Sequence, residues 1–155
     1  MLRAAESALA TGRSRASGGT LPSAHNAQPG LPVDPSINVF GETLQGCNDK
    51  PKTGFFRDGC CNTSDQDVGS HTVCVEVTQE FLEFSRFRGN DLSTARPEFN
   101  FPGLKPGDRW CLCAARWLEA QQQGMAPRVL LQGTHSRALE VVPLELLKKF
   151  AVDLN

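Results

Sequence analysis

No apolar run in the chain approaches the ~18–20 residues that a membrane-spanning helix needs, so nothing in the sequence asks for a bilayer. An excess of charge is missing too: 16 Lys and Arg stand against 17 Asp and Glu, and the basic residues are scattered. That balance argues against a nucleic-acid partner and against a polybasic membrane patch. There is no Gly-rich phosphate loop of Walker or Rossmann type, no HExxH and no GxSxG. Ordinary nucleotide-dependent, zincin and serine-hydrolase chemistries lose their main support. Six cysteines among 155 residues are too few for a scaffold built on disulfides. A chain of this length buries about two-thirds of its unfolded surface, and it needs neither disulfide nor metal to fold.

Aromatic residues are missing from one end. Ala, Ser, Gly and Pro fill more than half of residues 1–35, every aromatic lies after Val39, and every cysteine lies after Gly46. A segment without Phe, Trp or Ile cannot offset the entropy of ordering its chain. Residues 1–35 are therefore expected to be a disordered tail, and 36–155 a single folded domain. The tail carries Arg3, Arg13 and Arg15 with only Glu6 and Asp34 as acids, and Leu2, Ala5 and Leu9 share one helical face. This is also the composition of an organellar transit peptide, which would make the domain organellar; otherwise it is expected to be soluble and intracellular. No 7–15-residue apolar stretch follows the first Arg, so a secretory signal is not expected, and Asn62-Thr63-Ser64 reads as a chance sequon.

What is present is an irregular alternation of strand and helix patterns. In Thr72–Val77, Val73, Val75 and Val77 share one face and Thr72, Cys74 and Glu76 the other, as in a half-buried strand. Thr78 is a good N-cap for a helix through Arg88, with Phe81, Leu82, Phe84 and Phe87 as its apolar residues and Gly89 as its stop. Arg109–Ala115 alternates as a second strand, with Trp110 and Leu112 opposite Cys111 and Cys113. A short helix then runs to Gln123. Arg128–Gln132 is a third strand, and Leu139–Val142 a fourth joined to it by a hairpin through His135–Arg137. Pro143 opens a last helix to about Val152, and Ile37–Phe40 is a short strand ahead of them all. The pattern predicts an α+β fold, a mostly antiparallel sheet with short helices packed on one face.

Two stretches interrupt it. Gly41–Gly69 and Asn90–Asp108 are rich in Gly, Pro, Asp and Asn. Loops beyond ~12–15 residues are uncommon in compact domains and often functional. The second carries Phe99, Phe101 and Leu104, so it is expected to be ordered and packed down.

The segments TGFFRDGCC (Thr53–Cys61), DVGSHTVC (Asp67–Cys74), FLEFSRFRGNDLSTARPEFNFPGLKPGDRWCLCAARWLEA (Phe81–Ala120) and RALEVVPLELLKKF (Arg137–Phe150) follow one another in order. Together they resemble the bacterial domain-of-unknown-function 2237 family over roughly residues 37–153. The resemblance implies a small α+β domain and assigns no substrate, cofactor or catalytic residue.

Candidate chemistry rests on cysteine, histidine and the polar residues of the loops. Cys111 and Cys113 lie two apart on a strand and share a face, too far apart for an easy disulfide. With Cys74, or with Cys60 and Cys61, completing the set, they are candidate ligands for a zinc-like metal, although CC, H-x2-C and C-x-C are not standard zinc spacings. The alternative is that these thiols are small buried hydrophobes. Cys60 and Cys61 are the candidate redox thiols: Arg57 beside them can lower a thiol pKa, and a vicinal pair can close a reducible disulfide. His71 is the candidate base, but three residues from Cys74 on a strand it faces the other way, unless the chain bends after Gly69-Ser70. Arg57, Asp58, Arg96, Asp108 and Arg109 are candidates for binding an anionic small molecule, since Arg suits bidentate carboxylate or phosphate recognition; Arg–Asp pairing between the loops is the structural alternative. The functional expectation is a small site between the two long loops, using cysteines for metal or thiol chemistry or Arg and Asp for an anion. The competing expectation is a non-catalytic structural or interaction domain with inert cysteines.

Overall fold

The computed structural model describes residues 36–154; the expected tail of residues 1–35 lies outside the described residues. The fold is α+β. A three-stranded antiparallel sheet has β1 (His71–Glu76) at its centre, between β2 (Arg109–Cys113) and β3 (Arg128–Val129). The period-2 pattern sets the register. Val73 lies opposite Leu112, and Val75 lies between Trp110 and Val129, which puts their apolar side chains on one face. Against that face pack Phe81 and Leu82 of α1 (Gln79–Phe87), Trp117 of α2 (Ala114–Gln122) and Leu147 of α3 (Leu144–Lys148), in one continuous core. Thr78 caps α1 by accepting the Phe81 amide at 3.1 Å. Trp117 meets the edge of Phe150 and donates its indole N–H to the Pro127 carbonyl at 3.2 Å. No helix among the described residues is long and apolar enough to cross a membrane.

The loop Asn90–Asp108 is folded onto this core. Phe101 and Leu104 are buried, and Phe101 meets the Trp110 ring edge-on at 5.2 Å. Phe99 stays largely outside, on a 3-10 turn over Pro97–Phe99.

Several elements differ from the sequence pattern. β1 is buried on both faces, because the loop Gly41–Gly69 covers the side that carries Cys74. A bulge at Thr72 shifts the register, so that His71 pairs with Cys113. β2 ends at Cys113, and Ala114 and Ala115 open α2 instead of extending the strand. β3 stops at Val129, because the carboxylate of Asp153 takes the amides of Leu131 and Gln132 at 2.8 and 3.0 Å and Leu131–Gly133 turns as a 3-10 helix. There is no fourth strand at Leu139–Val142. The His135 ring accepts the Arg137 amide at 3.0 Å and starts a 3-10 helix, Ser136–Glu140, where a hairpin was expected. A short apolar run does not by itself distinguish the two. Ile37 and Asn38 form only isolated bridges, to Thr43 and His135, and α3 ends at Lys148.

Candidate functional site

The loop Gly41–Gly69 is fastened to the sheet by sulfur. Cys47 is bonded to Cys74 on β1, and Cys61 to Cys111 on β2, with Cα–Cα separations of 5.8 and 5.3 Å. Cys74 and Cys111 are direct cross-strand partners on the face away from the valines, so the two bridges stand side by side. The sulfurs of Cys47, Cys61 and Cys74 all lie within 4.8 Å of one another. All four cysteines are buried, with Leu130 packed against them.

Local backbone geometry explains why the loop reaches the sheet here. The Cys47 amide donates to the Gly59 carbonyl at 2.7 Å, and the Cys111 amide to the Thr53 hydroxyl at 2.8 Å. Across β1, the Cys74 amide donates to the Thr134 hydroxyl at 3.1 Å. Gly54 has φ +103°, and a Cβ there would collide with the Cys60 carbonyl oxygen. Only glycine permits that turn and that approach.

Above the bridges the surface is concave. Cys47 lines a cavity of about 450 Å³ together with Asn48, Asp49, Lys50 and Gly59. Asp49 and Lys50 also line a larger cavity of about 650 Å³ between the two long loops, with Lys52, Lys105, Asp108 and Phe101 among its other walls. Three lysines against two aspartates leave this mouth cationic. Lys52 pairs with Asp49 at 3.6 Å, and Asp108 turns back to accept the Lys105 amide at 2.8 Å.

A second polar cluster sits at the start of β1. The buried Asp67 carboxylate accepts from the His71 ring Nδ1 at 2.6 Å, from the His71 amide at 2.9 Å and from the Thr63 hydroxyl at 2.9 Å. The ring stacks against Phe55 with centroids 6.2 Å apart, and a Cβ on Gly69 would lie 2.9 Å from it. His71 is thus held from several sides, with Nδ1 committed. Its cross-strand partner Cys113 is a free thiol at the N-cap of α2. Burial pushes that thiol above its ordinary range, while the Arg116 and Ala115 amides pull the other way. Among the described residues no hydrogen bond links the thiol to the ring.

The structure distributes the sequence candidates over several places. Cys74, Cys111 and Cys113 do not converge as a set: the first two belong to separate bridges, and Cys113 stays a thiol beside Asp67 and His71. Their partners come from the loop, where no periodicity marks them. Cys60 and Cys61 form no vicinal bridge, since Cys61 is bonded to Cys111. Cys60 is raised in pKa by burial and then by Asp58 and Asp49, against the pull of Lys52. Arg57 turns its guanidinium over the Trp110 ring, 5.2 Å from the centroid, and donates to the Gly54 carbonyl at 2.6 Å. No His71–Cys74 dyad forms in this structure, where the Cys74 sulfur is bonded to Cys47. Asp58 holds the turn by accepting the Cys60 amide at 3.0 Å; Arg96 lies 3.9 Å from Glu98; the Arg109 carbonyl accepts from Asn48 at 3.0 Å. Of the anion candidates, Asp108 lines the larger cavity, but its cations are Lys50, Lys52 and Lys105. Asp67 was also missed; its signal was a carboxylate four residues before His71.

Comparison with known families bears on the same segments. The model of a family described as an uncharacterized protein conserved in bacteria, DUF2237, matches residues 37–151. The chain belongs to that family. The match takes in both bridges, the Asp67–His71 pair and the loop cavities, so the whole candidate site lies within the DUF2237 domain. No curated protein matches the chain.

Proposed function

We propose that this domain exchanges disulfides with small acidic thiols that enter the groove between its two long loops. The observation that carries this reading is Cys47, which belongs to a buried bridge and also lines an open cavity. In the exchange, an incoming thiolate attacks the Cys47 sulfur. A new S–S bond forms, the Cys47–Cys74 bond breaks, and the electron pair leaves on the Cys74 sulfur, which takes up a proton. A second incoming thiol then attacks the first and releases Cys47. One protein disulfide becomes two thiols, and two small thiols become one disulfide. The cavity that Cys47 lines shares Asp49 and Lys50 with the larger one, where Lys50, Lys52 and Lys105 outnumber Asp49 and Asp108, which favours the approach of a thiol that carries carboxylates. The Cys61–Cys111 bridge is close enough to pass the exchange on. An intracellular setting is part of the proposal, because a cytosolic thiol pool supplies the reactant and disulfides there are usually transient.

The test is to incubate the folded full-length protein with reduced glutathione, trap with acid and an alkylating agent, and locate modified cysteines by mass spectrometry. The expected result is reduction without denaturant and a mixed disulfide at Cys47. The rate should exceed that with the uncharged 2-mercaptoethanol, by a margin that shrinks in high salt or in Lys50→Ala/Lys105→Ala. Bridges that open only in denaturant would leave the domain as a structural one with inert cysteines.

A further inference from the structure

We infer that the reduced form of this sulfur cluster is a four-cysteine site for one thiophilic divalent ion, zinc being the type, and that closing the two bridges expels it. This rests on the exchange reading above, since the cluster must first be reduced. Three of the four sulfurs already lie within 4.8 Å of one another, whereas a tetrahedral zinc–thiolate site with bonds of about 2.3 Å has sulfurs about 3.8 Å apart. The fourth, Cys111, is bonded to Cys61 and sits directly across the strand pair from Cys74. Cross-strand partners have Cβ atoms only about 4.5–5.5 Å apart, so once the bond opens, side-chain rotation is enough to bring Cys111 in. Two ligands stand on adjacent strands and two on a loop held to β2 by side-chain hydrogen bonds, the Cys111 amide donating to the Thr53 hydroxyl and the Asn48 side-chain amide to the Arg109 carbonyl. That is a largely pre-formed cage rather than four sulfurs collected from a flexible chain.

The donor set selects the ion. The cluster is built of cysteines, with Leu130 packed against it; soft thiolate cages take zinc and its relatives in preference to magnesium or calcium. A cage with four protein ligands is closed, so the ion is structural and does no catalysis of its own. The spacing hides the site. The four ligands stand at 47, 61, 74 and 111, and none of the intervals is a C-x2-4-C knuckle.

The chemistry balances. When two small-molecule disulfides meet the loaded cluster, each accepts two electrons and yields two thiolates. The four cysteine sulfurs pair as Cys47–Cys74 and Cys61–Cys111, and the divalent ion leaves. Four thiolates disappear from the protein and four appear in solution. The two states would hold the loop to the sheet by different bonds at the same place, which makes the cluster a redox-gated metal store or sensor.

The experiment uses the full-length protein, reduced with a phosphine, exchanged into oxygen-free buffer and titrated with cadmium as the probe. One equivalent is expected to give a saturating sulfur-to-metal charge-transfer band. In the loaded protein, mass spectrometry should find Cys47, Cys61, Cys74 and Cys111 protected from alkylation while Cys60 remains open. Cys60→Ser/Cys113→Ser should bind as the parent does, and Cys47→Ser/Cys74→Ser should lose the band. Oxidised glutathione should release the ion in proportion to bridge formation. A protein that cannot be reduced while folded overturns both this inference and the exchange reading. One that is reduced but takes up no ion, or whose four cysteines alkylate equally with and without it, overturns this inference alone.

Discussion

His135 is a fully buried imidazole whose two nitrogens have different fates. Nδ1 accepts the Arg137 amide, while Nε2 is buried without a hydrogen-bond partner among the described residues. Burial, and then the charge of Arg137, lower its pKa below the ordinary 6.5. A histidine whose folded pKa is depressed binds more protons when unfolded, so its contribution to stability is full above pH 6.5 and is lost as pH falls. Urea midpoints should therefore drop on acidification from about pH 7 to pH 5. His135→Asn keeps an acceptor for the Arg137 amide and should flatten that slope; equal slopes in the two proteins would remove His135 as its cause.

Among the elements, the loop Asn90–Asp108 behaves as part of the core. Phe101 is 3% exposed against Trp110, so Phe101→Ala should cost about 3–5 kcal/mol. Phe99, on the same loop and 42% exposed, should tolerate alanine with a small change in a denaturant titration. A parent-like midpoint for Phe101→Ala would mean that the loop does not support the fold. The same contrast shows what was legible in the sequence. β1, α1 and β2 could be read because valine alternation, the Thr78 cap and the Trp110–Leu112 pattern each repeat with a clear period. The stretch 130–142 could not, because its shape depends on Asp153 and the His135 ring taking backbone amides, neither of which leaves a periodic trace. The face shared by Cys74 and Cys111 was legible from strand parity. Their partners Cys47 and Cys61 were not, because an irregular loop carries no geometry in its spacing. Cys60 and Cys113 are free and half-buried, and the other four are bonded in pairs.

At the scale of the whole molecule, the bridges close loops with sequence separations of 27 and 50 positions. Chain-entropy arguments give each about 3–4 kcal/mol of stability, taken from the unfolded state. The core of Val73, Phe81, Trp110, Trp117 and Leu147 is independent of both. The reduced protein is therefore expected to keep its circular dichroism spectrum at room temperature and to unfold at lower denaturant than the oxidised one. Loss of structure on reduction alone would show that the core cannot stand without sulfur.

The two bridges also overlap along the chain, since Cys61 lies between Cys47 and Cys74, and Cys74 between Cys61 and Cys111. Any single peptide bond cut between positions 47 and 111 thus has at least one bridge spanning it. A protease that nicks Asn90–Asp108, or Gly41–Gly69 beyond Cys47, would leave a molecule of unchanged mass, apart from the added water. Its two fragments would migrate together on a non-reducing gel and part only when a thiol is added. For this chain, cleavage of an exposed loop and separation of its pieces are two events, and the second is under redox control.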